Sequence, residues 1–336
     1  MAQGVGSRFS RFAMRAGTAV GVVGLATVAL SLTPVGVPPA STLTPPYAYV
    51  VNSDSNTVSV IKTSTNTVVK TVGVGRYPLG VAITPNGGYA YVVNSGSNTV
   101  SVIKTSTNTV VKTVRVGIYP HGIAITPNGG YAYVVNTGSN TVSVIKTSTN
   151  TVVKKVRVGI APSWVAITPN GGDAYVTNFP PNYASAVSVI KTSTNTVVKT
   201  VAVGGQPEGV AITPNGSDAY VTNVGGTVSV IKTSTNTVVK TVEVGGQLAG
   251  VAISPNGRDA YVTNFNSGSV NVIKISTNTV VATVAVGPAP YWIAITPNGS
   301  DAYVTFANAV SVINTSTNTV VTTVGVGHYP QGVAIT

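Results

Sequence analysis

The sequence predicts an all-β ring of seven four-stranded antiparallel blades, and three observations carry that prediction. A Tyr-Val line recurs at Tyr49, Tyr91, Tyr133, Tyr175, Tyr220, Tyr261 and Tyr303, in steps of 42, 42, 42, 45, 41 and 42 residues. Each unit holds the same four short β-rich runs, and a Pro-Asn-Gly turn joins successive units at all six junctions within the chain. Composition agrees: 43% of residues are hydrophobic and 8% charged, and 36 Gly and 20 Pro suit many short strands joined by tight turns rather than helices. A period of about 40–45 residues with four strands per unit is what a β-propeller blade requires.

Taken from Tyr47, the runs follow in order. Ala48-Tyr49-Val50-Val51 is strand B of a blade, Thr57-Val58-Ser59-Val60-Ile61 is strand C, and Thr67-Val68-Val69-Lys70-Thr71-Val72 is strand D. Val81-Ala82-Ile83-Thr84 is strand A of the next blade. The small Ala of this run recurs at Ala124, Ala166, Ala211, Ala252, Ala294 and Ala334, which suits the innermost strand, while Lys and Thr gather in D, the outermost. Between A and B lies Thr84-Pro85-Asn86-Gly87, where Pro presets φ and Gly supplies the positive φ of a tight hairpin. Runs such as Val58-Ser59-Val60-Ile61 are apolar on both sides of the pleat, so each sheet must pack between two others. A closed ring achieves this without caps. The chain begins with B at Tyr47 and ends with A at Val333 to Thr336, so the C-terminal strand is expected to pair with the N-terminal blade and close the ring.

Two other all-β architectures fit less well. A parallel β-helix needs no Pro-Asn-Gly hairpin in every unit. An outer-membrane barrel needs strands of about 9–11 residues, longer than these runs.

The N-terminal 40 residues have a different character. Arg8, Arg11 and Arg15 precede an uncharged apolar run from Ala16 to Leu32, followed by the small-residue stretch Val37-Pro38-Pro39-Ala40. This is the pattern of an export signal over 1–40. An uncleaved anchor is the rival reading and the only membrane contact expected; either way the body, 47–336, lies outside the cytoplasm. The Pro/Ser/Thr-rich stretch 33–46 reads as an extended linker. Without 1–40 the net charge falls from +12 to +9, and the Lys residues are spaced by the repeat rather than gathered in one patch, so no nucleic-acid partner is expected. The absence of Cys excludes disulfides, thiolate metal sites and a cysteine nucleophile.

The residues also carry a resemblance. Tyr175-Val176-Thr177-Asn178, Tyr220-Val221-Thr222-Asn223 and Tyr261-Val262-Thr263-Asn264 are each followed by a Val-x-Val-Ile line, and Pro-x-Gly-Val-Ala-Ile-Thr-Pro-Asn-Gly recurs ahead of the Tyr-Val lines. Over about 47–336 the chain resembles the YVTN family of β-propeller repeat proteins. That resemblance implies a seven-bladed propeller on an exported or cell-surface protein. It brings no catalytic motif from related lactonases or from a streptogramin lyase.

Antiparallel order puts the D-to-A and B-to-C connections on one face and the A-to-B and C-to-D connections on the other. The second face is monotonous, repeating Thr-Pro-Asn-Gly and Lys-Thr-Ser-Thr-Asn-Thr. The first is where the copies diverge. Its D-to-A segments supply Tyr77, Tyr119, His121, Glu208, Tyr291, His328, Tyr329 and Gln331. Trp164 and Trp292 replace a Gly found in the other five copies, where they would crowd the channel mouth, and the lengthened loop after Asn178 adds Phe179 and Tyr183. Aromatics with Gln, Glu and His around a shallow mouth suit sugars or peptide side chains.

His121 and Glu208 share one repeat position in different blades and are the sole candidates for an acid/base pair. No metal site or cofactor is implied. Tyr49 and its equivalents, and the Asn of each Tyr-Val-x-Asn line, read as structural. The expected function is a secreted or envelope-associated binding scaffold whose partner is a glycan, a cell-envelope polymer or a surface protein. The alternatives are a lactonase-like or lyase-like enzyme at the channel mouth and a structural surface protein.

Overall fold

The computed structural model describes residues 46–180 and 185–336. The expected export segment, nearly all of the linker, and Tyr183 lie outside the described residues. The body is a ring of seven four-stranded sheets. We number the blades by their Tyr-Val strand, from Tyr49 in blade 1 to Tyr303 in blade 7. Blade 2 is typical, with A at Pro78–Ile83, B at Tyr89–Asn94, C at Thr99–Lys104 and D at Thr109–Arg115, each antiparallel to the next.

Blade 1 is composite. Its strand A is the C-terminal Pro330–Ile335, which pairs with Tyr47–Asn52 through Tyr49↔Ala334 and Val50↔Val333. Backbone and side-chain bonds between Tyr47 and Thr336 fasten the end of this pair.

Strand A starts earlier than the Val-Ala-Ile-Thr run suggested, at Pro78, with a break in register between Pro78 and Val81. The residue inside that break marks the tightest point of the ring. A Cβ on Gly80 would lie 2.5 Å from the carbonyl oxygen of His121 in the adjacent blade, so glycine, more than the alanine two residues later, allows the axial strands to converge. The A-to-B turns form as expected: Gly87 has φ +68°, and Asn86 Oδ1 accepts from Thr84 Oγ1 and the Gly88 N–H.

Between blades, each ring tyrosine is sealed in apolar core and donates its hydroxyl to the next blade. Tyr49 reaches Asn108 Oδ1 at 2.7 Å, Tyr91 reaches Asn150 at 2.6 Å, and the series runs round to Tyr303, which returns to Asn66 in blade 1. The accepting asparagines sit in the C-to-D turns in left-handed conformation, with φ of 53° at Asn66 and 51° at Asn108. That explains the constancy of Lys-Thr-Ser-Thr-Asn-Thr: Asn tolerates the turn and holds the neighbour. Burial pushes the Tyr49 and Tyr91 phenols up to about 12.

The Thr of Tyr-Val-Thr-Asn forms a second staple. In blade 7, Thr305 Oγ1 accepts from the Trp292 N–H at 3.0 Å and donates to Gln331 O of blade 1 at 2.8 Å. Thr177, Thr222 and Thr263 make the same pair of bonds in blades 4 to 6. Val51, Val93 and Val135 stand there in blades 1 to 3 and make none.

In the first blade the Asn of this line bonds locally as expected, with Asn52 Nδ2 on Thr57 Oγ1 and Ser59 Oγ, and Asn94 and Asn136 repeat the pair. In blade 7, Phe306 stands at this position and its ring lies against Gly287, where a Cβ would meet it at 2.5 Å. Asp173 and Asp218 begin their strands and pair with Lys191 and Lys232 at 3.5 and 3.6 Å, partly exposed surface contacts of little energetic weight.

Candidate functional site

One repeat position, following the proline at the head of strand A (Leu248 in blade 6), carries Leu79, His121, Ser163, Glu208, Ala249, Tyr291 and Gln331 in the seven copies, beside the axial strands. Beneath them the next position is glycine in five blades and tryptophan in two. Trp164 belongs to blade 4 and Trp292 to blade 7, as far apart as a seven-membered ring allows, yet their rings stack with centroids 3.6 Å apart and planes tilted by 39°. They therefore meet across the axis. Each is nearly buried, at 8% and 6% exposure. Their contact joins the cores on opposite sides of the ring into one apolar cluster.

Four of the mouth residues form a polar chain on this aromatic floor. Ser163 Oγ lies 3.0 Å from His121 Nδ1 and donates to Glu208 Oε1 at 3.0 Å, and the Tyr291 hydroxyl donates to the same oxygen at 3.1 Å. The single hydroxyl hydrogen of Ser163 is engaged in the bond to Glu208 Oε1. Ser163 Oγ then accepts from Nδ1–H of His121, and the imidazole lone pair is left on Nε2. Burial lowers the His121 pKa below the ordinary histidine value, with the Glu208 charge opposing. Burial first, then the Glu208 charge and hydrogen bond, raises the Tyr291 phenol well above its ordinary value. The His121 ring also stands edge-on to Trp164 at 5.9 Å. Among the described residues no group of three or more His, Cys, Asp or Glu is placed to hold a metal ion, and no helix is long and apolar enough to cross a membrane.

His121 and Glu208 are thus brought to one cluster, with Ser163 as the link between them. Sequence reasoning missed Ser163, though its shared repeat position with His121 and Glu208 was the available signal.

The remaining aromatics lie further out. Tyr329, Tyr77 and Tyr119 sit on the D-to-A connections leading into blades 1, 2 and 3, at 55%, 56% and 62% exposure. All three are left-handed, with φ of 53°, 51° and 48°. That conformation is uncommon for a bulky residue and persists only where neighbours impose it. Here the Tyr77 N–H donates to Asn56 Oδ1 of the preceding blade at 2.8 Å, and its carbonyl accepts from Ser95 N–H in its own blade at 2.8 Å. Tyr119 is held alike by Asn98 and Thr137. The Tyr119 ring covers Gly138, where a Cβ would come within 2.8 Å of Cδ2. Equivalent backbone carries Ala161, Gln206 and Ala289 elsewhere in the ring, so the scaffold fixes the conformation and the sequence chooses the tyrosine.

Tyr291, Gln331 and Tyr329 line a cavity of about 330 Å³ with Phe265, Pro288 and Ala307, at the junction of blades 6, 7 and 1. Phe179 anchors the long loop by donating its N–H to Ala161 O at 2.8 Å. His328 is exposed beside Tyr329.

Seven four-stranded antiparallel blades, closed through the C-terminal strand and plugged at the axis, define a seven-bladed β-propeller with one divergent face. A family profile described as YNCE-like beta-propeller matches residues 13–336, and the chain belongs to that family, in keeping with its YVTN-type repeats. Among curated proteins no sequence matches it. Among solved structures it is similar to hydrazine synthase from Kuenenia stuttgartiensis, with a TM-score of 0.73 and 23% identity over 80% of this chain and 92% of that one. It is also similar to a functionally unknown protein from Desulfotomaculum acetoxidans DSM 771, with a TM-score of 0.76 and 19% identity over 86% of this chain and 98% of that one. At these identities the likeness is one of fold.

Proposed function

We propose that the protein is an exported or cell-surface binding scaffold that takes a glycan on the face bearing its D-to-A and B-to-C connections. The observation that carries this reading is the arc of Tyr329, Tyr77 and Tyr119. Three solvent-facing phenol rings on consecutive blades, each held in a left-handed backbone by two inter-loop hydrogen bonds, offer stacking surface with little conformational freedom left to lose. The Trp164–Trp292 pair supports the arc from below by stiffening the ring, rather than by presenting its own faces.

The test is a glycan and cell-wall binding panel on the purified body. Each aromatic contact contributes about 0.5–1.5 kcal/mol beyond its buried area, so the triple Tyr77→Ala, Tyr119→Ala, Tyr329→Ala variant should bind on the order of 100-fold more weakly. A control variant changes Tyr89 and Tyr131, both 38% exposed on the opposite face. Equal losses in the two variants, or none in either, would remove the arc from consideration.

One observation favours a second reading, an enzyme at the channel mouth: the His121–Ser163–Glu208–Tyr291 chain. The direction of its bonds argues against Ser163 as a nucleophile, because its proton is committed to Glu208 rather than to an imidazole base. Lactone or ester turnover abolished by Glu208→Gln would establish the enzyme over the scaffold.

A further inference from the structure

We infer that the glycan taken by this face is a polyanion carrying uronate carboxylates, laid along blades 1 to 3. This rests on the binding reading above and adds the charge of the ligand. Among the described residues the formally charged side chains on the divergent face are Asp54, Arg76, Arg115, Arg157, Glu208 and Glu243, and their distribution is uneven. Arg76 immediately precedes Tyr77. Arg115 and Arg157 end the D strands of blades 2 and 3, paired with Thr99 and Thr141 on the side of the B-to-C loops. All three arginines are exposed, and among the described residues none forms an ion pair.

The carboxylates are placed elsewhere, with one exception. Glu208 is buried at the axis, and Glu243 ends the D strand of blade 5. Only Asp54, in the B-to-C loop of blade 1, lies within the arc. At the positions equivalent to Arg115 and Arg157, blades 4 to 7 carry Ala202, Glu243, Ala285 and Gly325. The basic residues therefore lie in the same three-blade sector as the exposed tyrosines, although nothing in the repeat couples the two positions.

Guanidinium groups match carboxylates in planar two-point contacts, and alternation of aromatic and cationic groups along an arc suits a chain of acidic sugars: rings stack on Tyr while carboxylates meet Arg. Ile118 and Ile160, at 53% and 46% exposure, add apolar surface between the arginines.

The decisive experiment compares polygalacturonate with its fully methyl-esterified form, which keeps the sugar backbone and removes the charge; alginate and hyaluronan extend the uronate arm, and polyglutamate serves as a polyanion without sugars. Uronate polymers should bind with an affinity that weakens steeply with salt, while the ester and polyglutamate should bind weakly or not at all. Replacing all three arginines by Gln should lower uronate affinity at least about tenfold, from roughly two- to five-fold at each exposed contact, and flatten the salt dependence. Thermal melts of the variants confirm that exposed positions were changed without loss of fold.

Equal binding of the ester and the acid, or an Arg variant that binds like the parent, overturns the anionic inference while leaving the glycan reading standing. Polyglutamate binding that the tyrosine variant does not weaken overturns both. Absence of binding to any polymer in the panel also counts against both.

Discussion

Replacing Thr305 by Val asks how far inter-blade staples, rather than blade cores, hold the ring. The substitution nearly conserves volume at a position with 0% exposure. It deletes one hydroxyl that accepts from Trp292 N–H at 3.0 Å and donates to Gln331 O at 2.8 Å across the blade 7–blade 1 boundary. Leaving a buried N–H and a buried carbonyl short of a partner costs about 1–3 kcal/mol. The ordered body of nearly 300 residues has an unfolding entropy near 0.6 kcal/mol/K, from about 2 cal/mol/K per residue, so a loss of about 2 kcal/mol lowers Tm by about 3 °C.

The converse change supplies an internal check. Val93 holds in blade 2 the position that Thr222 holds in blade 5, where the hydroxyl bonds Gly209 N–H and Ala249 O, so Val93→Thr should add the equivalent staple to Gly80 and His121 and raise stability by up to about 1 kcal/mol. Differential scanning calorimetry with Thr323→Val, an exposed hydroxyl on an outer strand, as reference measures all three. If Thr305→Val melts with the Thr323→Val reference, or if Val93→Thr is destabilising, the staple is not a source of ring stability.

Three further outcomes follow from the geometry. Trp164→Ala removes half of a buried stack and should destabilise by about 3–5 kcal/mol, read in urea unfolding; a loss under about 1 kcal/mol would mean that the indoles do not close the axis. Deleting 331–336 strips blade 1 of its pairing with Ala48, Tyr49 and Val50, and should open or unfold the ring, read by hydrogen exchange at Tyr47–Asn52; full protection there would refute closure through this strand. Because burial lowers the folded His121 pKa below its unfolded value, the unfolded chain binds the proton more readily, and stability drains away as pH falls below about 6.5. His121→Gln should flatten that part of the pH profile in calorimetric scans, and an unchanged slope would contradict the burial.

Much of the fold was legible because repetition reports it many times over. Six Pro-Asn-Gly turns at regular intervals, a Tyr-Val line every 42 residues or so, and the permuted start at strand B suffice to count blades, order strands and place the closure. The site was legible in part. Strand parity assigned Tyr77, His121, Glu208 and Trp292 to one face.

What stayed hidden depends on ring geometry or on conformations that sequence disfavours. Trp164 and Trp292 meet only because blades 4 and 7 oppose each other across a narrow axis. Ser163 gains its place from neighbours two blades apart in the chain. The left-handed backbone of Tyr77, Tyr119 and Tyr329 runs against expectation twice over, since a bulky residue avoids positive φ and a residue before proline favours an extended one. Hydrogen bonds from adjacent loops overrule both preferences. The Tyr-to-Asn circuit was hidden for a similar reason: its partners lie 59 residues apart in the first two blades, each in a motif that reads as purely local.

Ligand contact along the tyrosine arc is read most directly by a footprint of the exposed tyrosines with and without polygalacturonate, using a solvent-borne tyrosine label and mass spectrometry. Tyr77, Tyr119 and Tyr329 should become protected together while Tyr89 and Tyr131 on the opposite face remain labelled. Protection of Tyr89 and Tyr131 with the three-blade arc left open would contradict ligand contact along the arc.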